Sequence, residues 1–205
     1  MTDLILYSNK MSRGRIIHWM LEELSLPYDV QWLDFGPRMK VKSYKDINPM
    51  GKVPALKHGD CVVTETAAIL TYLADTFADK GFIPATGSPA RAAFYRWMFF
   101  IAGPLEAATT NTFLQLETPE LTPLGTPTKG FLGYGSLDLT LNTLDNHLKT
   151  NSYLCGEKFT AADIYLASHL GFGMGYTKAY PPRDTFKAYL ERLSQRPAKL
   201  RAEAL

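Results

Sequence analysis

The sequence predicts two domains, an N-terminal α/β domain over residues 1–79 and an all-helical domain over residues 90–205. Short apolar runs alternate with helical patterns in the first part, whereas the second part contains only helical patterns. Residues 80–89 are rich in glycine and proline and have no hydrophobic period, which is typical of a linker. With 205 residues, of which 46% are hydrophobic, the chain is long enough to bury a core in each part.

The N-terminal part begins with a strand, a helix and a second strand. LILY at residues 4–7 is typical of a buried strand, and YDVQWLDF at residues 28–35 alternates as a second one. The helix between them carries one apolar stripe, formed by Ile16, Ile17, Met20, Leu21 and Leu24. Two strands joined through a helix predict a parallel βαβ unit.

Two more strands and a helix follow after a polar, lysine-containing stretch. PALKH and CVVTE are joined by Gly59 and Asp60, a pair suited to a tight hairpin. The helix within TAAILTYLADTF is predicted to turn one face inward, formed by Ala68, Ile69, Tyr72, Leu73 and Phe77. The order βαβ, a variable segment and then ββα is the layout of a thioredoxin-like domain.

The second part is predicted to be helical throughout. Ser88 and Pro89 form a good helix start, and the helical pattern continues to about residue 116. A proline-rich loop over residues 118–130 and a helix over residues 136–149 come next. Thr160 and Asp163 have capping-box spacing at the start of another helix. The last helical pattern ends at Pro197, with a short tail beyond.

Composition and charge exclude several classes of function. The 22 basic and 20 acidic residues are scattered, so no nucleic-acid partner is expected. No apolar stretch approaches the roughly 20 residues that cross a bilayer, and the first residues lack the features of a secretory signal, so we expect a cytoplasmic protein without a membrane partner. Cys61 and Cys155 are expected to be reduced, buried thiols. The four histidines show no paired ligand spacing, so no metal is expected.

The segment NPMGKVPAL, residues 48–56, places Pro54 directly before a strand. A cis bond between Val53 and Pro54 would turn the backbone N–H and C=O of Val53 outward, where they could bind a peptide as one more strand would. A trans proline at a strand edge explains the same residues equally well. The segment by itself leaves both interpretations open.

Further motifs join this segment in one order along the chain. TETAAILTYL lies at residues 64–73, the proline- and glycine-rich linker follows, and FTAADIYLA lies at residues 159–167 within the helical part. Together these motifs resemble the cytosolic glutathione S-transferase family over essentially the whole chain. No cysteine lies between the first strand and the first helix, so the chain resembles bacterial-type, serine-like members rather than cysteine-type members.

The resemblance implies a set of residues that bind glutathione as co-substrate. Val53, before the implied cis-Pro54, would pair with the cysteinyl backbone of glutathione. Glu65 and Thr66 correspond to the family's Glu-Ser pair at the γ-glutamyl end, with threonine in place of serine. Lys40 and Lys52 are implied contacts of the glycyl carboxylate. Without the resemblance, a helix cap and first-turn acid explain Glu65 and Thr66, and solvated charges explain the lysines.

The loop YSNKMSRGR, residues 7–15, contains the candidates for the group that stabilises the glutathione thiolate. Ser12 is the first candidate, as a hydroxyl donor entering the first helix. Ser8 and Tyr7 come next, and Arg13 could add positive charge near the sulfur. A plain N-cap role is the structural alternative for Ser12.

The resemblance also implies the reaction and the partners. The protein would conjugate glutathione to hydrophobic electrophiles in detoxification, or use the same thiolate to reduce organic hydroperoxides or isomerise a substrate, and it would be a homodimer. Apolar candidates for the electrophile site are Met11, Phe99, Phe113, Phe172, Met174 and Tyr176, although helical core positions explain such aromatic residues too. A non-enzymatic binding or scaffold protein of the same fold is the alternative function.

Overall fold

The computed structural model describes residues 3–205. The chain divides into two compact units. The first reaches Ile83 and also includes Ser194–Leu205, and the second is Pro84–Leu193. This differs from the predicted division, which assigned the whole of residues 90–205 to the helical domain. None of the described helices is both long and apolar enough to cross a bilayer.

The first unit contains a four-stranded sheet. Its strands are β1 (Leu4–Ser8), β2 (Asp29–Trp32), β3 (Ala55–His58) and β4 (Cys61–Thr64), in the spatial order β2-β1-β3-β4. β1 and β2 are parallel, whereas β3 is antiparallel to both β1 and β4. The predicted thioredoxin-like layout of βαβ followed by ββα is therefore confirmed.

The helices of the first unit are α1 (Gly14–Leu24), α2 (Lys42–Lys45) and α3 (Thr66–Thr76), with 3₁₀ turns at Pro37–Met39 and Ala78–Lys80. All five predicted apolar positions of α1 are buried. The predicted face of α3 is partly wrong, because Ala68 is exposed whereas Leu70 and Ala74 are buried. The buried stripe of α3 begins at Thr66 and repeats every three or four residues from there.

The end of the chain forms another helix rather than a tail. Pro197 occupies the first turn of α9 (Pro197–Glu203), where its missing N–H has no helical partner to lose. α9 packs on α1. The Arg196 guanidinium donates to both carboxylate oxygens of Glu23, at 2.6 and 2.7 Å, and Arg201 Nε donates to Glu22 at 2.6 Å. These contacts group the last residues with the first unit.

The second unit contains α4 (Pro89–Phe100), α5 (Glu106–Phe113), α6 (Leu137–Leu148), α7 (Ala161–Gly171) and most of α8 (Asp184–Ser194). A 3₁₀ turn lies at Thr128–Gly130. The predicted continuous helix to about residue 116 is interrupted by a π-helical segment at Ile101–Leu105, because Pro104 cannot donate a helical hydrogen bond. A second π-helical segment, Phe172–Tyr176, continues α7.

Side chains cap three of these helices, two of them at caps that the sequence predicts. Ser88 Oγ accepts from Arg91 N at 3.2 Å, and Ser136 Oγ accepts from Leu139 N at 3.1 Å. Thr160 and Asp163 form the predicted capping box at the start of α7. Each helix start was predicted because the capping side chain is itself part of the local sequence.

Candidate functional site

The peptide bond between Val53 and Pro54 is cis, and Pro54 leads into β3. Within residues 3–205, the backbone N–H and C=O of Val53 have no hydrogen-bond partner. The preceding carbonyl is held firmly, because Lys52 O accepts from Tyr44 Oη at 2.6 Å and from Asn48 Nδ2 at 2.7 Å. The two free backbone groups of Val53 therefore lie on a segment whose preceding carbonyl, that of Lys52, is held by two hydrogen bonds.

The sheet register brings three loops to one end of the first unit. Tyr7 on β1 is opposite Ala55 on β3, and Ala55 is opposite Thr64 on β4. Continuing by one residue at each place reaches Ser8, Pro54 and Glu65. The loop after β1, the cis-proline segment and the start of α3 therefore meet at this end of the sheet.

The start of α3 combines an exposed acid with a helix N-terminus. Glu65 has φ of 70° and ψ of 124°, a positive-φ conformation that is unusual for a residue with a side chain. Its carbonyl accepts the first helical bond, from Ile69 N at 2.9 Å, so the next N–H groups lack partners within the helix. The positive end of the helix dipole adds to these donors, which makes the start of α3 suited to a carboxylate ligand beside an exposed carboxylate side chain.

The loop after β1 is folded around the hydroxyl of Ser12. Ser12 Oγ accepts from Gly14 N at 3.0 Å and from Asn9 N at 3.3 Å, and it donates to Asn9 O at 2.8 Å. Arg13 is the residue that precedes α1, and its side chain makes no capping bond. Ser12 therefore bonds to the first N–H of the helix from one residue farther out than an N-cap.

Tyr7 and Ser8 differ in their access to a ligand. The Tyr7 ring lies 5.7 Å from the ring of Tyr44, and within the described residues its hydroxyl has no hydrogen-bond partner. Ser8 Oγ is fully buried and unpartnered in the part of the chain that the structure describes. It lies so close to Gly14 that a Cβ on that glycine would be 2.0 Å away. Ser8 thus fills the space between β1 and α1, whereas the hydroxyl of Tyr7 is free to bind.

Two lysines flank the cis-proline segment. Lys40 Nζ donates to Gly51 O at 3.1 Å and to Met50 O at 3.4 Å. Lys52 is exposed, and no partner of its ammonium group lies within residues 3–205. Burial raises the pKa of Tyr44 to about 12, so this tyrosine remains a neutral donor to Lys52 O. The positive charge next to Val53 comes from the ammonium groups of Lys40 and Lys52.

The predicted apolar residues are divided between the two units. In the first unit, Met11 is 71% exposed. In the second unit, Phe172 stacks on Tyr176 with ring centroids 5.6 Å apart, Met174 is half-buried, and Phe99 and Phe113 are exposed. The structure thus brings Phe172 and Tyr176 together and leaves both aromatic rings accessible.

The second unit also contains an open cavity that the sequence analysis missed. Its volume is about 480 Å³, and its lining includes Phe100, Pro104, Leu132, Tyr134 and Leu139. None of the predicted apolar residues lines it. Pro104 inside a helical pattern and the glycines around residue 133 were the available signals, since both interrupt regular packing.

Asn9, Tyr44 and Asn48 are further residues of the site that sequence reasoning missed. The Asn9 side chain bonds to Leu33 O and Met11 N, and Tyr44 and Asn48 both donate to Lys52 O, so each holds the backbone of a loop that carries a predicted residue. Their signal was weak, because asparagine occurs in most loops for its own local bonds.

Within residues 3–205, no group of three or more His, Cys, Asp or Glu side chains could hold a metal ion.

Comparisons with known proteins identify relatives of both parts of the chain. The family model described as "Glutathione S-transferase, N-terminal domain" matches residues 11–76, and "Glutathione S-transferase, C-terminal domain" matches residues 135–197. The chain is 31% identical over 155 residues to glutathione S-transferase GstA of Escherichia coli O157:H7, covering 75% of this chain and 73% of that protein. It is 28% identical over 207 residues to glutathione S-transferase 3 of Schizosaccharomyces pombe, covering 95% and 84%.

A solved structure shares the fold over nearly the whole length. A glutathione transferase family member from Pseudomonas fluorescens, crystallised with two glutathione bound, superposes with a TM-score of 0.78. It is 25% identical to this chain, and the match covers 98% of this chain and 92% of that one. The similarity therefore extends across both units and includes a relative that binds glutathione.

Proposed function

This chain belongs to the glutathione S-transferase family of enzymes, and from that premise we propose that it binds glutathione at the cis-proline end of its sheet and activates the thiol as a thiolate. The observation that carries the proposal is the unpartnered backbone of Val53, held in place next to the start of α3. A tripeptide needs such a pair of backbone groups, because it binds there as an added strand.

The remaining contacts of glutathione follow from charge. Its γ-glutamyl carboxylate binds the N-terminal N–H groups of α3 at Thr66, and its ammonium binds Glu65. Its glycyl carboxylate lies toward Lys52 and Lys40. The exposed Glu65 and Lys52 support this orientation, since each has an accessible charge of the required sign. The cysteinyl part then spans Val53, and its sulfur points to the loop after β1.

Ser12 is the proposed donor to the thiolate. A free thiol has a pKa of about 8.5, and each unit by which the pKa falls needs about 1.4 kcal/mol of preferential stabilisation of the thiolate. Ser12 Oγ accepts two backbone N–H bonds, which strengthens its own O–H as a donor. Tyr7 is the alternative, because its hydroxyl is free. Arg13 adds positive charge in the same loop, whereas the buried position of Ser8 disfavours direct contact.

The chemical step is the addition of the sulfur to an electrophilic atom of a hydrophobic substrate. A sulfur lone pair forms the new carbon–sulfur bond, and the electrons move to a leaving group or to an acceptor atom that is then protonated. An exposed apolar side chain of the loop after β1, such as Met11, would exclude water around the electrophile. The same thiolate would also serve hydroperoxide reduction or isomerisation. We also propose that the protein is a homodimer, that it is cytoplasmic, and that it acts in detoxification.

The test is a titration of bound glutathione. Thiolate absorbance near 240 nm is followed against pH for wild type, Ser12→Ala, Tyr7→Phe and the control Ser152→Ala, whose loop hydroxyl bonds to Glu157. We expect the wild type and control to ionise bound glutathione at least one pH unit below the free thiol, and Ser12→Ala to lose most of that shift. Loss in Tyr7→Phe alone would assign the donor to Tyr7. Failure of the wild type to bind glutathione would leave the scaffold function in its place.

A further inference from the structure

Asn9 uses every polar group it has to fold the loop after β1. Its side-chain Nδ2 donates to Leu33 O at 2.7 Å, and its Oδ1 accepts from Met11 N at 2.8 Å. Its backbone N donates to Ser12 Oγ at 3.3 Å, and its backbone O accepts from Ser12 N at 3.0 Å and from Ser12 Oγ at 2.8 Å. One residue therefore joins the end of β2 to the hydroxyl of Ser12.

These bonds leave the Ser12 proton able to change partners. Asn9 O has two donors, Ser12 N and Ser12 Oγ. When the hydroxyl turns its proton to a sulfur, Asn9 O keeps the bond from Ser12 N, so no buried acceptor is left unpaired. Meanwhile Ser12 Oγ retains its bonds from Asn9 N and Gly14 N, which fix the oxygen in place.

The side chain of Asn9 determines where this arrangement lies. Leu33 follows β2 directly, and Leu33 N donates to Ser8 O at 2.9 Å. Asn9 Nδ2 adds a second bond to the same residue, so two consecutive residues at the start of the loop are bonded to Leu33. A hydroxyl donor to a thiolate has to be held within a fraction of an ångström, which needs this kind of support.

We propose that Asn9 is a positioning residue for the thiolate, acting through Ser12 and without touching glutathione. The inference rests on the proposed function, and it adds that the low thiol pKa of bound glutathione depends on the Asn9 side chain. Loss of that side chain removes the bonds to Leu33 O and Met11 N and lets Ser12 Oγ drift from the sulfur. Binding of the tripeptide backbone at Val53 is left intact.

Asn48 provides a matched comparison in the other wall of the site. Its Oδ1 accepts from Met50 N at 3.1 Å, and its Nδ2 donates to Lys52 O at 2.7 Å. The local geometry is the same as that of Asn9, since Oδ1 binds the N–H two residues on and Nδ2 binds a more distant carbonyl. Asn48, however, supports Lys52 and Val53, where glutathione binds, and makes no bond in the loop of Ser12.

The experiment measures both the dissociation constant and the thiol pKa of bound glutathione in Asn9→Ala, Asn48→Ala, Ser12→Ala and the Asn9→Ala/Ser12→Ala double variant. We expect Asn9→Ala to raise the thiol pKa by about one unit with less than a threefold change in the dissociation constant. Asn48→Ala should weaken binding about tenfold with an unchanged thiol pKa. The double variant should show the same thiol pKa as Ser12→Ala alone.

Three results would overturn the role of Asn9. One is an unchanged thiol pKa in Asn9→Ala, another is a further rise in the double variant beyond Ser12→Ala, and the third is equal behaviour of Asn9→Ala and Asn48→Ala. If Asn9→Ala does not fold, Asn9→Ser keeps an acceptor for Met11 N and should give an intermediate pKa. A normal thiol pKa in the wild type would instead reject the proposed function, so the two failures are distinguishable.

Discussion

One polar site in each unit of the molecule shows the contrast between groups that have hydrogen-bond partners and groups that lack them. In the second unit, Asp163 is fully buried and its carboxylate accepts from Leu154 N, Thr160 N, Thr160 Oγ and Tyr189 Oη at 2.8 to 2.9 Å. In the first unit, the backbone of Val53 and the hydroxyl of Tyr7 have no partners within the described residues.

The difference separates polar groups that stabilise the fold from those that await a ligand. A buried carboxylate with four donors stabilises three segments of the second unit at once, and its removal leaves those donors unpaired. Free groups on a fixed backbone contribute little to folding, because water satisfies them until a ligand replaces it. Substitutions in the first set should therefore change stability, and substitutions in the second set should change binding.

The largest effect is expected at Asp163. Asp163→Ala should lower the free energy of unfolding by about 3–5 kcal/mol, since four donors lose their acceptor inside the protein. Asp138→Ala is the matched control, because Asp138 is also a first-turn acid but is exposed on α6. That control should cost less than about 1 kcal/mol. Urea unfolding measures the free energy of unfolding of both variants. Equal losses would contradict the distinction between polar groups that stabilise the fold and polar groups that await a ligand.

The sheet and the helix starts could be predicted from the sequence because their signals are local. The signals are the apolar run of β1, the alternation of β2, the hairpin pair Gly59 and Asp60, and the caps at Ser88 and Thr160, and each lies within a few residues. The interruption at Pro104 was visible as a proline, but the helix continues past it as a π turn. The role of α9 was not predictable, because its ion pairs with Glu22 and Glu23 join residues far apart in the chain.

For the site, the sequence predicted which residues take part better than it predicted which hydrogen bonds those residues make. The cis bond at Pro54 was one of two alternatives, and the structure supports it. The sequence could not show that Ser8 is buried against Gly14 while Tyr7 is free, since alternation along a strand does not determine what packs on it. Asn9 and Asn48 were missed because their partners, Leu33 and Lys52, are fixed only by the fold.

His18 is an unsatisfied polar group of the first unit that belongs to the core. Its Nε2 is buried without a partner among the described residues, its Nδ1 lies 3.2 Å from Tyr28 Oη, and its ring stacks on Trp32 at 5.2 Å. Burial lowers the pKa of His18 to about 4, and the charge of Arg15 acts in the same direction.

We expect this burial to make the protein sensitive to acid. The unfolded histidine takes up a proton below about pH 6.5, whereas His18 in the folded protein resists protonation down to about pH 4. Its contribution is therefore complete above pH 6.5 and is lost as the pH falls, at up to about 1.4 kcal/mol per pH unit. His18→Phe should reduce this slope in urea unfolding between pH 7 and 4.5. An unchanged slope would show that His18 is not the group responsible.

Part of the slope should remain in that variant for a separate reason. Burial also lowers the pKa of His147, which accordingly contributes to the pH dependence of stability with the same sign.

Glutathione binding at pH 7 provides the control for His18→Phe, since His18 lies in α1 and not among the groups proposed to bind the tripeptide. His18→Phe should leave the dissociation constant within about twofold of wild type. If binding is lost while the pH dependence of the free energy of unfolding is unchanged, His18 belongs with the polar groups of the site that await a ligand.

The smallest effect is expected at Glu65, where stability and binding should move in opposite directions. Its φ of 70° is costly for a residue with a side chain, and glycine adopts it freely. After the larger unfolded-state entropy of glycine is subtracted, Glu65→Gly should raise the free energy of unfolding by about 0.5–1 kcal/mol. The loss of the carboxylate should weaken glutathione binding about tenfold. Ser25→Gly tests the relief of another positive φ, of 53°, at the C-terminal end of α1, and should gain stability with unchanged binding. If Glu65→Gly gains stability and also keeps its affinity, the positive-φ residue serves neither folding nor glutathione, and the ammonium of the ligand must bind elsewhere.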